Sequence, residues 1–265
     1  MKIATGEKAY SAGTPPVKAE GLLFSQTELD TALEHRLPPL IRDDVGKKKV
    51  EELVGSLATT DFATDRLAAA LNFMPSVKDW QIGESLAEAY LVDHKACEFP
   101  WPTGRDLRNP SASPAGADLV GFQLHGKSRR FAFGEVKTSE EKRWPPQVVT
   151  SRHGLTKQVE VLRDSVQTKD HLVIIYLGHR AHSSAWETGY QQAVKRYLNN
   201  TSDISLFGFL IRDVDPKAED LQSRAKVLAK GCPNETSIEL HALYLPPKSI
   251  GSLAKKIRLR KGGAK

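Results

Sequence analysis

The sequence predicts an α/β fold in which a central mixed β-sheet is flanked by helices and preceded by a mainly helical N-terminal region. Two observations predict this class. Two apolar segments on either side of a glycine-containing turn have the pattern of a β-hairpin, and apolar strands alternate with amphipathic helices through the second half of the chain. With 265 residues, 40% of them hydrophobic and 26% charged, the chain is expected to form one large globular domain or a core with an extension.

The first 77 residues are expected to form a mostly helical extension without recognisable chemistry. Residues 1–20 are rich in Gly, Pro, Ala and Lys, which indicates either a loosely ordered segment or an edge strand. Ser25 is expected to cap the first helix. Helical patterns cover residues 26–33, 47–57 and 60–71.

A helix is expected at residues 81–91, where apolar positions are spaced as in an amphipathic helix. Glu84 and Glu88 stand four residues apart on it and so share one helical face. If this helix packs against the β-hairpin predicted at residues 116–137, one of the two glutamates can approach the acidic residues of that hairpin. The alternative is that both glutamates are solvated.

The β-hairpin is expected to have its arms at Gly116–Gln123 and Arg130–Lys137. Gly126 lies between the arms and supplies the positive φ that a tight two-residue turn needs. If Gly126 and Lys127 are the central turn residues, the register of the whole hairpin is fixed.

This register places Asp118 directly opposite Glu135, with Cβ atoms about 4.5 to 5.5 Å apart. Period-2 alternation puts Lys137 on the same face as Glu135. Two carboxylates and an ammonium group therefore converge on a patch that a hydrated divalent cation can fill, and the cation would neutralise acids that otherwise destabilise the sheet. The alternative is an acid pair on a solvated face, with Lys137 as its surface counter-charge.

The segment after the hairpin alternates helices and strands. Residues 172–177 are continuous in apolar character, which favours a buried parallel or central strand. The other expected elements are a strand at 98–101, a loop at 102–115, helices at 154–167 and 185–198, and strands at 204–211 and 238–245.

Over residues 78–212, this order of elements resembles the PD-(D/E)XK, or restriction-endonuclease-like, nuclease superfamily. That family combines an acid on a helix, a hairpin with Asp and then Glu-x-Lys, and a following helix with further strands. The residues that match the family pattern are Glu84 or Glu88, Asp118, Glu135 and Lys137.

The resemblance implies a Mg²⁺-dependent nuclease, with Mn²⁺ as a substitute, that hydrolyses phosphodiester bonds of DNA; RNA as substrate and the mode of cleavage stay open. Lys137 would orient or help deprotonate the attacking water and stabilise the pentavalent phosphate. Pro114 stands four residues before Asp118 rather than beside it, which departs from the family pattern. The implied metal ligands are Asp118, Glu135, the backbone carbonyl of Val136, and Glu84 or Glu88.

Several polar residues are candidates for nucleic-acid contacts. The resemblance places Gln158, with Lys157 beside it, on the helix that faces the active site, and a solvated position is the alternative. Arg152, in the loop just before that helix, is a candidate for a phosphate contact.

The net charge of +6 is concentrated in a C-terminal tail. Residues 248–265 contain seven basic residues and no acids, whereas the rest of the chain carries 31 basic and 32 acidic residues. Such a tail suits salt-sensitive phosphate contacts and is expected to be nearly inert in free solution. The alternatives are a solvated extension without a partner and a packed element held by Leu253, Ile257 and Leu259. The tail residues expected to bind nucleic acid are Lys255, Lys256, Arg258, Arg260 and Lys261.

The expected organisation is an extension at 1–77, a nuclease core at 78–247 and the basic tail. No apolar run reaches membrane-span length, the N-terminus lacks a signal-peptide stretch, and Cys97 and Cys232 have no ligand-like spacing, so a soluble cytoplasmic protein is expected.

In looser outline the chain resembles the nuclease component of Hachiman-type anti-phage systems. This implies a defence effector that works with a partner such as a helicase or another motor. The alternative functions are a catalytically silent nucleic-acid-binding subunit and a protein-interaction subunit.

Overall fold

A computed structural model describes residues 1–72, 77–100 and 116–259 of the chain. In these residues a seven-stranded mixed sheet has helices on both faces. The strands are β1 (Glu7–Thr14), β2 (Val17–Leu23), β3 (Cys97–Glu98), β4 (Leu119–His125), β5 (Ser128–Ser139), β6 (Ile204–Arg212) and β7 (Ser237–Tyr244), in the spatial order β1-β2-β7-β6-β5-β4-β3.

The sheet is parallel at its centre and antiparallel at its margins. Strands β2, β7, β6 and β5 run parallel to one another, whereas β1 and β4 run against their neighbours. All nine residues of β6 are buried, which explains why its sequence is an almost uninterrupted apolar run. The predicted α/β class with a central mixed sheet is confirmed.

Twelve α-helices surround the sheet in the described ranges. They are α1 (Gln26–Thr31), α2 (Leu37–Arg42), α3 (Asp44–Val54), α4 (Asp61–Asn72), α5 (Asp79–His94), α6 (Gln147–Thr150), α7 (Leu155–Asp164), α8 (Val166–Asp170), α9 (Leu177–Ala181), α10 (Glu187–Asn199), α11 (Gln222–Ala229) and α12 (Leu253–Leu259). Helices α5 and α12 pack on one face of the sheet, and α7, α10 and α11 pack on the other. Across these same ranges, we find no helix long and apolar enough to cross a membrane.

The N-terminal region is mainly helical only from residue 26 onward. Residues 7–23 form the hairpin of β1 and β2, and β2 pairs with β7 along its whole length. The edge-strand alternative for the first residues is therefore confirmed. Ser25 caps α1 as predicted, in a reciprocal arrangement with Glu28. The domain boundaries at 77 and 247 stay predictions.

The strand predicted at residues 172–177 is wrong, because this segment is helical. A π-helical turn spans His171–Tyr176 and leads directly into α9. Leu172 and Val173 are buried, whereas Ile175 is 51% exposed, so a single helical face is covered. A continuous apolar run of this length fits a buried strand and a helix equally well, and only the neighbours decide between them.

The expectation of an inert C-terminal tail is wrong for its first half. A 3-10 turn at Ile250–Ser252 leads into α12, which packs against α5 and the π-helical turn that follows α1. Leu253 and Ile257 are fully buried there, which confirms the packed alternative for these two residues. The Ala254 amide also donates to Asp79 at 3.0 Å.

The basic residues of the tail differ in their exposure to solvent. Lys255 is exposed, and Lys256 is half-buried with its Nζ 3.8 Å from Asp30. The side chains of Arg258 and Leu259, as well as Arg260 and Lys261, lie outside the described residues, as does the loop predicted at 102–115.

Candidate active site

The hairpin of β4 and β5 has the predicted register. Leu119 pairs with Gly134, so Asp118 and Glu135 are the next opposed pair. Gly126 has a φ of +64°, as its place in the turn requires. The Val136 amide donates to Asp118 Oδ2 at 2.7 Å, and Lys137 Nζ donates to Glu135 Oε1 at 2.6 Å. The predicted convergence of two carboxylates and one ammonium group is therefore confirmed.

The site lies where the apolar core gives way to solvent. Alternation along β5 puts Glu135 on the same face as Phe131 and Phe133, which are core residues. Glu135 is only 1% exposed, whereas the side chain of Lys137 is 23% exposed. Because Asp118 precedes the first residue of β4, the acid pair is at the end of this strand, next to the solvent boundary.

Helix α5 comes unusually close to β5. Its Gly83 lies against Thr138, and a Cβ at position 83 would overlap the Thr138 hydroxyl oxygen. Ile82 and Leu86 on either side are fully buried in the core. The absence of a side chain at residue 83 therefore allows the helix to approach the strand that carries Glu135.

This approach brings a third carboxylate into the site. Glu84, next to Gly83, interacts electrostatically with Asp118, Glu135 and Lys137. Glu88 lies one turn further along the helix, is buried, and acts on Glu84 through its own charge. The structure thus places Glu84 close enough to the acid pair of the hairpin for their charges to interact.

Burial and mutual repulsion favour the protonated forms of these acids. Burial, and then the charges of Asp118 and Glu135, raise the pKa of Glu84 to about 8. Burial, and then the charge of Asp118, raise the pKa of Glu135 to about 8. The pKa of Asp118 is also raised by burial, against the opposing effect of the Val136 amide. A bound cation would stabilise the ionised forms of these carboxylates and so offset their mutual repulsion.

The donor set suits a hard divalent cation, although its oxygens are engaged within the protein. Carboxylate oxygens are the ligands that Mg²⁺ prefers. Asp118 and Glu135 share a hydrogen bond, and each also accepts one from the chain. In residues 1–72, 77–100 and 116–259, no three Asp, Glu, His or Cys side chains are already arranged as ligands of one metal ion. A cation would therefore replace the proton that the acids share.

Helix α7 covers the same face of the sheet as Glu135. Gly208, the partner of Glu135 on β6, lies beneath Leu155 and Val159 of this helix. Gln158 is thereby placed over this face, and its buried Oε1 has no hydrogen-bond partner among the described residues.

The two basic residues predicted to contact phosphates lie beside α7. Lys157 is at the helix surface, where its Nζ is 2.7 Å from Glu160. Arg152 is exposed in the preceding loop. Both side chains line one open pocket.

A buried ion pair that the sequence did not reveal fixes the loop after β5. Arg212 donates to Asp220 Oδ1 at 2.8 Å and to the carbonyls of Glu141 and Arg143. The Tyr244 hydroxyl donates to Asp220 Oδ2 at 2.7 Å. The available signal was an arginine at the end of an almost uninterrupted apolar strand, because such a charge must be paired when it is buried.

No protein-family model matches this chain, and no curated protein matches it in sequence. Residue chemistry and geometry therefore carry the functional assignment.

Proposed function

We propose that this protein is a metal-dependent nuclease with a PD-(D/E)XK, restriction-endonuclease-like core, which hydrolyses phosphodiester bonds of DNA. The observation that carries the proposal is the convergence of Asp118, Glu135 and Glu84 beside Lys137 at the end of one hairpin arm. A buried acid, Glu135, with two half-buried acids beside it, Asp118 and Glu84, is costly for a fold unless a cation neutralises the group.

The proposed cofactor is Mg²⁺, for which Mn²⁺ can substitute. Its ligands would be Asp118, Glu135, the backbone carbonyl of Val136 and Glu84, with Glu88 close enough in the helix to act through a water. Bound there, the ion would supply charge neutralisation at the phosphate and a lowered pKa for a coordinated water.

The protein groups have distinct roles in this proposal. Lys137 reaches from Glu135 toward solvent and would orient the water and stabilise the charge that develops on the phosphate. The Val136 amide fixes the orientation of Asp118. Gln158 would accept a hydrogen bond at the substrate through its side-chain oxygen, which is buried and has no partner within the described residues.

Cleavage of plasmid and linear DNA by the purified full-length chain, with and without Mg²⁺, tests the proposal. Asp118→Asn, Glu135→Gln and Lys137→Ala should each lose Mg²⁺-dependent cleavage while their melting curves stay cooperative. Glu219→Gln, at an exposed carboxylate in the turn before α11, is the matched control and should cleave normally. Retained cleavage in all three site variants would refute the catalytic assignment.

Exposed apolar side chains on the N-terminal helices favour a second role, as a subunit that docks a partner protein. Leu53, Leu57 and Phe62 are 76%, 73% and 73% exposed, and no residue of α4 is buried. Large exposed apolar groups commonly mark protein interfaces. In line with the looser resemblance to Hachiman-type systems, we propose a cytoplasmic anti-phage effector whose partner is a helicase or another motor. Co-purification of the native complex, and its loss in Leu53→Ser/Phe62→Ser, tests this docking role independently of cleavage.

A further inference from the structure

An open pocket of about 280 Å³ lies between the start of α7 and the start of α11. It is lined by three cationic side chains, Arg152, Lys157 and Arg224, which come from a loop and two helices. Arg224 was not a candidate on sequence grounds, because it is about 70 residues away from the other two along the chain. Only the tertiary structure brings the three charges together.

The pocket shares one edge of the sheet with the candidate active site. Helix α7 follows the carboxyl end of β5, and α11 follows the carboxyl end of β6. These strands are parallel, so both helices begin at the edge where β5 carries Glu135 and Lys137. In α/β sheets, ligands commonly bind at the carboxyl ends of the strands. A polymer that occupies the candidate active site can therefore also reach this pocket.

The charges of the pocket are only partly compensated. Glu160 is the carboxylate that lines it, and its Oε2 is 2.7 Å from Lys157 Nζ. Arg224 directs its Nε to the neutral Ser223 hydroxyl at 3.1 Å. Three cations thus face one acid, and the exposed guanidinium of Arg152 is free to rotate toward a ligand.

The pocket also contains polar groups that lack partners. The Thr156 hydroxyl oxygen is buried and has no hydrogen-bond partner within the described part of the chain, although Thr156 lines the pocket. The first hydrogen bond into α7 comes from Gln158, so the amides of the preceding first-turn residues point out of the helix. A helix start adds partial positive charge, and an anion with several acceptor oxygens satisfies such donors together.

We propose that this pocket binds a backbone phosphate of the nucleic-acid strand that occupies the candidate active site. This inference rests on the proposed nuclease function and adds to it a second contact point, which holds the strand and sets its direction across the site. Arginine binds phosphate through paired parallel hydrogen bonds, which suits a fixed phosphate better than a diffuse counterion.

Binding of a short fluorescent DNA duplex to the full-length chain, with EDTA present to prevent cleavage, tests the inference. The double variant Arg152→Ala/Arg224→Ala is compared with Lys226→Ala/Lys230→Ala, which removes the same charge from exposed positions outside the pocket. The pocket variant should bind about threefold to tenfold more weakly, with a log-log salt slope smaller by roughly 0.9 for each phosphate that the protein no longer neutralises. The control should bind as the wild type does.

Titration with inorganic phosphate is the second measurement. The amide NMR signals of Thr156 and Lys157 should shift saturably in the wild type, and this shift should be absent in the pocket variant. Equal duplex binding by the pocket variant and the control would overturn the inference, while wild-type cleavage would leave the nuclease proposal intact. A wild type that neither binds nor cleaves nucleic acid would overturn both, and a phosphate response would then identify the pocket as a site for free phosphate instead.

Discussion

Two clusters of half-buried acids on the same sheet are neutralised in opposite ways. Glu20 and Glu239, on β2 and β7, surround His241 and Lys95; Lys95 Nζ is 2.6 Å from Glu239, and His241 Nδ1 is 3.0 Å from Glu20. The close approach of His241 lowers the pKa of Glu20. Burial alone would raise the pKa of Glu239, but His241 and Lys95 outweigh it and lower the pKa to about 2.

The acids of the candidate active site lack that degree of compensation. Lys137 acts on Asp118, Glu135 and Glu84, yet burial and repulsion still raise the pKa of Glu84 and of Glu135 to about 8. One cluster therefore has basic side chains against its acids, and the other is compensated only when a cation is supplied. Acids that are stable without a ligand serve the fold, whereas acids that destabilise the fold point to function.

The largest expected difference between the clusters is in catalysis. Glu135→Gln should lower kcat for Mg²⁺-dependent DNA cleavage by about a hundredfold or more, because it removes a proposed metal ligand. Glu239→Gln should leave kcat close to the wild-type value. Single-turnover cleavage by the two variants measures this, and a similar loss in both would show that the clusters do not differ in function.

The same two substitutions should change stability with opposite signs. Glu239→Gln leaves Lys95 and His241 without a full partner and should lower the free energy of unfolding by about 1 to 3 kcal/mol. Folding near neutral pH must protonate Glu135, and Glu135→Gln removes that cost, so it should leave the metal-free protein unchanged or more stable by up to about 1 kcal/mol. Urea unfolding in EDTA measures both, and a clear destabilisation by Glu135→Gln would mean that this acid is compensated after all.

The two clusters should also respond to pH in opposite directions. The folded pKa of Glu239 is depressed to about 2, so its contribution to stability is present above the unfolded pKa of about 4.3 and is lost as pH falls toward 2. The folded pKa of Glu135 is raised to about 8, so its contribution is present below about 4.3 and is lost as pH rises through 8.

Metal-free stability should therefore decline between about pH 5 and pH 8, by roughly 1.4 kcal/mol per pH unit for one such group, and Mg²⁺ should remove most of that decline. Thermal unfolding at several pH values, with EDTA or Mg²⁺, measures the effect. Calorimetry in buffers of different ionisation enthalpy should detect protons released on Mg²⁺ binding below pH 8. The absence of proton release would contradict the shared-proton description of the site.

The smallest expected effect tests how α5 supplies the third acid. Gly83→Ala should push the helix away from Thr138, lower stability by about 1 to 2 kcal/mol and weaken Mg²⁺ binding, because Glu84 moves with it. Gly55→Ala is the matched control, since a Cβ there has nothing within 4 Å. Equal Mg²⁺ affinity in the two variants would show that the position of Glu84 does not matter to the site.

Much of the candidate site could be predicted because it is local. Gly126 fixes the turn, the turn fixes the register, and the register sets Asp118 opposite Glu135 over a separation of 17 positions. The two wrong predictions concern segments whose structure depends on the residues that pack against them. The composition of residues 172–177 is typical of a strand, and the charge of residues 250–257 is typical of a solvated tail. Neither pattern specifies which neighbours will cover the apolar side chains, so both predictions were wrong.

The sequence by itself determined the order of most strands and helices, the hairpin register and the chemistry of the acid pair. Each of these follows from side-chain periodicity or turn geometry within a short stretch of chain. Only the tertiary structure decided that Glu84 interacts electrostatically with the pair, that β1 and β2 extend the sheet, and that Arg224 meets Arg152 and Lys157. Those contacts connect residues far apart in sequence, and they depend on how closely whole elements pack, as the contact of Gly83 with Thr138 does.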